Sequence, residues 1–202
     1  MPEKKESNKI SKKRKNNSYI PYYSEEFRDI VRFIQDTLKK YVYLAGVRAM
    51  FEHGIPVHRM TQDFDVYAII TTAERDEVTK YIRKKYETSK HIWRKFGFGI
   101  NFYPTGRVSH LDVNTIRPKI MDESWEEELL SINGVDVYLP PLEDLIALKM
   151  QAGRKKDIDD ITHTFHTSLE LVHIEQLKQK AIQLNVLKKL IKLAKKYGVS
   201  LE

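Results

Sequence analysis

Residues 41–70 read YVYLAGVRAMFEHGIPVHRMTQDFDVYAII, and the order of local signals in this stretch decides the fold class. Tyr41–Leu44 is a short β-rich run, Val47–His53 has helical spacing, and Gly54 supplies its stop. Phe64–Ile70 is β-rich again, so a strand, a short helix and a second strand follow one another closely. Towards the N-terminus, Phe27, Ile30, Val31, Ile34 and Leu38 recur at helical spacing behind Ser24, an N-cap residue. Towards the C-terminus, Thr72–Tyr86 reads as a helix with Val78 and Ile82 facing inward. Residues 98–116 then read as a hairpin, GFGINFY and VSHLDVNTI around the turn Pro104-Thr105-Gly106. A second hairpin joins LLSI to VDVYL through Asn133-Gly134, a strong turn signal. Beyond Pro140-Pro141, Leu142, Leu145, Ile146 and Met150 form one helical stripe that ends at Gly153. Further helices are expected over 155–166, 172–184 and 186–197. Hairpins interleaved with helices imply a mixed α/β (α+β) fold whose twisted sheet is mixed rather than wholly parallel.

The division expected from this pattern is a basic disordered tail over 1–22, a central domain over 23–166 and a C-terminal helical segment over 167–202. The tail dominates the charge. Residues 1–18 carry seven Lys/Arg against two Glu, a net of +5, so the remaining 184 of 202 residues supply only +2 of the total +7. Such an arm suits attraction to nucleic-acid phosphates or simple solubility. Hydrophobic residues make up 41% of the chain, enough for a core. The chain has no cysteine, which excludes disulfide scaffolds, thiolate zinc sites and cysteine nucleophiles. No apolar run approaches the roughly 20 residues of a membrane span, and the N-terminus has no apolar segment of the signal-peptide kind. A soluble, cytoplasmic protein without a membrane partner is expected.

Chemistry concentrates at Asp63-Phe64-Asp65, at the start of an apolar strand. Period-2 geometry places Asp63 and Asp65 on one face, about 7 Å apart, where they repel unless a cation intervenes. Mg²⁺ suits such a site because it takes a few carboxylate oxygens together with substrate phosphates; taken alone, the pair also reads as two solvent-facing aspartates on an edge strand. Asp112 lies on a later strand and shares a face with His110 and Asn114; if that strand adjoins the first, Asp112 completes a three-carboxylate site for two-metal phosphoryl transfer. Gly46, between strand and helix, would let the backbone approach a phosphate or merely permit a tight turn. Lys149 ends the apolar stripe, where it either snorkels or meets an anion such as a triphosphate, and Asp157 and Asp160 follow at i,i+3. His163, His166 and His173 have no recognised metal-ligand spacing and read as packing or surface histidines.

Taken together, these residues resemble the nucleotidyltransferase superfamily that includes DNA polymerase β, and more closely its minimal, AbiEii-like members, several of which are toxins of toxin–antitoxin pairs. The matching positions are Gly46 and Ala49, Gly54, then Arg59, Thr61, Asp63 and Asp65, the distal Asp112, and Leu145-Ile146-Ala147-Leu148-Lys149 followed by Asp157 and Asp160. Val47 departs from the pattern, which has a second small residue there. The resemblance implies two Mg²⁺ ions held by Asp63, Asp65 and Asp112, with Asp112 beside the acceptor hydroxyl. It implies nucleotide phosphates at Gly46, Val47 and Lys149, with Asp157 or Asp160 orienting the lysine. Arg59 and Thr61 either position phosphate or stabilise the loop before the strand, and Arg48 is a weaker candidate for a phosphate contact.

The expected activity is transfer of a nucleoside monophosphate from an NTP such as ATP to an acceptor hydroxyl. The favoured acceptor is RNA, a tRNA 3′ end, reached with the help of the basic tail, and an antitoxin protein is a further expected partner. The alternatives are a small-molecule or protein acceptor, and a decayed, binding-only form that keeps the scaffold without the chemistry.

Overall fold

In the computed structural model, residues 25–56, 58–59, 63–86, 88–94, 97–102, 109–132 and 134–201 are described. The N-terminal tail, Ser24, Thr61, the turn at 104–106 and Asn133 lie outside them.

The apolar spacing near the N-terminus forms α1 (Glu25–Arg32), whose last turn widens into a π-helical turn at Phe33–Thr37. Phe27, Ile30, Val31 and Ile34 are all buried, and the Phe27 ring stacks on Phe64 with centroids 5.3 Å apart. β1 (Tyr43–Leu44) leads into α2 (Gly46–Glu52), and β2 (Asp63–Tyr67) follows. α3 (Thr72–Lys85) begins at a capping box, in which the Thr71 hydroxyl accepts from the Glu74 N–H and the Glu74 carboxylate accepts from the Thr71 N–H. Val78 and Ile82 face inward from it, as the spacing predicts.

The two expected hairpins are present. β4 (Gly97–Phe102) pairs antiparallel with β5 (Ser109–Asn114), and β6 (Leu129–Ile132) pairs antiparallel with β7 (Val135–Tyr138). An additional strand, β3 (Thr88–Arg94), flanks β4 at the sheet edge. Its sequence, TSKHIWR, carries charges and no clean apolar alternation, as suits an edge strand, so periodicity alone does not mark it. The seven strands lie in the order β3-β4-β5-β2-β1-β7-β6. β2 runs parallel to β5 and β1 parallel to β7, while the other neighbours are antiparallel. The sheet is therefore mixed, as the element order implies.

One face of β2 and β5 carries Phe64, Val66, Leu111 and Val113 into the main apolar core. The opposite face carries Asp63, Asp65 and Tyr67 alongside His110, Asp112 and Asn114. α4 (Leu142–Ala152) ends at Gly153, whose left-handed φ of +63° closes the helix. α5 (Lys155–Thr167), α6 (Ile174–Gln183) and α7 (Leu187–Lys196) follow. A buried bolt joins α6 to α4: Trp125 Nε1 donates to Asp144 Oδ2 at 2.6 Å, and Lys180 Nζ donates to the same oxygen at 3.1 Å. Among the described residues, no helix is long and apolar enough to cross a membrane.

Candidate active site

The site is built where β1 turns into α2. The Ala45 N–H donates to the Asp65 carbonyl at 2.9 Å, which clamps the end of β1 against β2. Gly46 follows with φ +67°, a backbone conformation costly for any L side chain. A Cβ at this position would overlap the Asp65 carboxylate, coming within 2.9 Å of its Cγ. Glycine is thus required twice here, by the turn and by the carboxylate above it. Val47 is buried and forms part of the same cavity wall.

The parallel pairing of β2 with β5 sets Asp65 directly opposite Asp112, and Asp63 opposite His110 one rung away. On its other side β5 pairs with β4, where Gly99 lies opposite Asp112 and leaves room for its carboxylate. His110 Nε2 lies 3.1 Å from Asp112 Oδ1. Burial pushes the Asp65 carboxyl above its ordinary range, and the charges of Asp112 and Asp63 push it further.

Asp65 and Asp112 open into a cavity of about 320 Å³ lined also by Gly46, Val47, Arg59, Lys149, Arg154 and Lys156. Asp63 is not among its lining residues. Among the described residues, no three acidic or histidine side chains gather into a ready-made metal shell. A magnesium site does not require one, because this ion commonly takes one or two carboxylates and completes its coordination with water and substrate phosphates. Asp65 and Asp112 are hard oxygen donors in one cavity, and their mutual repulsion is what a divalent cation relieves. The donor set fits Mg²⁺.

The cationic wall is held by buried carboxylates. Asp160, 1% exposed, receives Lys149 Nζ at 2.7 Å and both Nε and a terminal nitrogen of Arg59 at 2.9 and 3.0 Å. His58 Nε2 lies 3.3 Å from the same carboxylate, and its ring stacks on His163. Burial works against the Asp160 charge, but the hydrogen bonds and charges of Arg59 and Lys149 outweigh it and hold its carboxyl below the usual range. Arg59 is raised in turn, chiefly by those hydrogen bonds. Asp157 accepts Arg154 Nε at 2.6 Å and lies 3.9 Å from Lys149.

The expected lysine–aspartate arrangement thus comes together, with Arg59 as a partner of Asp160. Arg48 takes a different place. It is buried over the Phe64 ring, 4.4 Å from its centroid, and donates to the Asp63 carbonyl at 3.1 Å, so it braces the strand. Thr61 lies outside the described residues.

Two further lining residues, Tyr67 and Asn114, sit opposite one another on the next rung beyond Asp65 and Asp112. Period 2 counted onward from the two aspartates points to both. Burial and the Asp65 charge push the Tyr67 hydroxyl up to about 12. Arg154 and Lys156 complete the wall from the start of α5.

The profile of the family described as "Nucleotidyltransferase of unknown function (DUF6036)" matches residues 25–197. No curated protein matches the chain in sequence. Among solved structures, the antibiotic-resistance factor ANT(2″)-Ia aligns with TM-score 0.50 at 13% identity, over 84% of this chain and 95% of its own. The same factor in complex with adenylyl-2″-tobramycin aligns at 0.50 and 14% identity, over 79% and 95%. An antigenic nucleotidyltransferase-like protein from Paracoccidioides brasiliensis aligns at 0.48 and 18% identity, over 85% and 92%. At these identities the likeness is one of fold.

Proposed function

Because the chain belongs to this nucleotidyltransferase family, we propose that it transfers a nucleoside monophosphate from an NTP to a hydroxyl of RNA, at a 3′ end such as that of tRNA, with Mg²⁺. The observation that carries this is the cross-strand pair Asp65–Asp112, set against Gly46 in a cavity that Arg59, Lys149, Arg154 and Lys156 also line. Asp65 and Asp112 would hold the metal, with Asp63 joining them as a third ligand, and two ions are the full complement. The metal supplies charge neutralisation at the transferring phosphoryl group and at the departing pyrophosphate.

The protein's own groups account for the rest. Lys149, held by Asp160, faces the cavity and pairs with the triphosphate. Arg154 and Lys156 offer further cations to the same anion. Asp112 receives the proton of the acceptor hydroxyl as its oxygen bonds to the α-phosphorus. The bond from that phosphorus to the bridging oxygen breaks, and pyrophosphate leaves. Arg59 and Asp160 act through Lys149 and are positioning residues. The acceptor assignment rests on the +5 carried by residues 1–18 and on the cationic rim, both of which favour a polyanion.

The test is incubation with each α-labelled NTP, Mg²⁺ and total RNA, with Asp65→Ala as control. Label is expected on RNA for the native protein and not for the variant. Absence of label from RNA with all four NTPs would refute the assignment.

A further inference from the structure

A second depression, a groove of about 490 Å³, lies between α7 and the α4–α5 joint. Its apolar wall is Met150, Ile158 and Leu193, and its rim is Lys189, Lys192 and Lys196. The three lysines recur at i, i+3 and i+7, so they share one face of α7, and all are exposed. Among the described residues, none of the three is paired with a carboxylate. Lys188 and Lys195 add two more positive charges on the same ten-residue helix. Five like charges on one short helix repel one another, and a polyanion laid along them relieves that repulsion.

The groove and the cavity meet at the α4–α5 joint in the chain. Ala152 and Arg154 line the active-site cavity, and Gly153 between them lines the groove. Lys155 and Lys156, both exposed at the first turn of α5, stand at the crossing. An anion that reached from the cavity to the lysines of α7 would have to extend beyond a nucleoside triphosphate, whose phosphates the cavity takes. It needs phosphates at regular intervals for the lysines and apolar surface for the groove wall. A single-stranded polynucleotide has both.

We propose that the groove between α7 and the α4–α5 joint binds the backbone of the RNA acceptor upstream of the reacting end, which lies in the cavity. This rests on the nucleotidyltransferase reading for the direction of the strand but not for the binding itself.

The experiment measures affinity of the full chain for a 5′-fluorescein-labelled single-stranded RNA by anisotropy, across a salt series, without NTP or Mg²⁺. The variants are Lys189→Glu/Lys192→Glu/Lys196→Glu and the corresponding triple glutamine. Circular dichroism confirms folding, and the glutamine set serves where the glutamate set does not fold. Both should bind RNA at least tenfold more weakly, and the slope of log K against log salt should fall by about 2, three contacts at roughly 0.7 each. NTP affinity should not change.

RNA binding and salt slope equal to those of the native protein would overturn the proposal, as would a native protein that binds no RNA. Displacement of the RNA by polyglutamate at lower concentration than by unlabelled RNA would also overturn it, assigning the groove to an acidic protein. If the native protein transfers no label while the variants lose RNA affinity, the groove stands and the nucleotidyltransferase assignment to RNA falls. If transfer occurs and the variants bind as the native protein does, the groove alone falls.

Discussion

Replacing Gly46 with alanine should separate two costs that coincide at this residue. The first is conformational: at φ +67° an L side chain costs about 1–2 kcal/mol, or roughly 2–8 °C in Tm for a chain of this size. The second is steric and falls on the site. The new Cβ would overlap Asp65 Oδ2 and lie 2.9 Å from its Cγ, whereas ordinary contact begins at 3.4 Å, so the carboxylate must retreat by roughly 0.5–1 Å. A displacement of about 1 Å in a reacting geometry costs about 100-fold in rate. The expected fall in kcat/KM is therefore about 10- to 100-fold. Gly198→Ala is the matched control, because its φ is +72° and nothing lies within 4 Å of the new Cβ. It should lose a similar Tm and keep full activity. The assay is transfer from an α-labelled NTP, with melting followed by calorimetry. Activity within threefold of native for Gly46→Ala, or equal activity losses in both variants, would refute the account of Asp65 pressed against Gly46.

Asp65→Asn should abolish transfer yet raise the Tm of the metal-free protein at neutral pH. The folded carboxyl is raised above its ordinary 3.8, so its contribution favours folding below that pH and is lost as pH rises through the folded value; the difference from native should vanish in acid, and added Mg²⁺ should raise Tm only for the native protein. Asp160→Asn leaves Lys149 and Arg59 without their shared carboxylate and should cost on the order of 3 kcal/mol by urea unfolding. Because the folded Asp160 lies below 3.8, that stability is present above this pH and disappears as pH falls through the lower folded value, so the gap to native should close in acid. Trp125→Phe removes one of the two donors to buried Asp144 and should cost about 1–3 kcal/mol without changing transfer; an unchanged Tm would show that Lys180 alone satisfies that carboxylate.

Much of the architecture is legible locally. The stripe Leu142, Leu145, Ile146 and Met150 becomes α4, Gly153 ends it in a left-handed turn, and both hairpins form. The placement of Asp63 and Asp65 on one strand face follows from period 2 and holds in β2. β3 escapes this reading because its residues serve an edge, where pairing with β4 and not apolar alternation makes the strand. Arg48 is another case. A basic residue at the start of a helix beside a glycine suggests an anion, but burial over Phe64 gives it a partner that no spacing shows.

Sequence alone determined most of the elements, their inward faces and the residue types able to handle a metal and phosphate, because backbone propensity and the periods of helix and strand act over a few residues. The tertiary structure decided the rest. Only the parallel docking of β5 on β2 puts Asp112 beside Asp65, and only the packing of α4 and α5 over the segment after α2 lets Arg59 and Lys149 share Asp160. Strand order and register are settled by burial summed over the whole sheet, and a carboxylate finds its partners only once distant parts of the chain have been brought together.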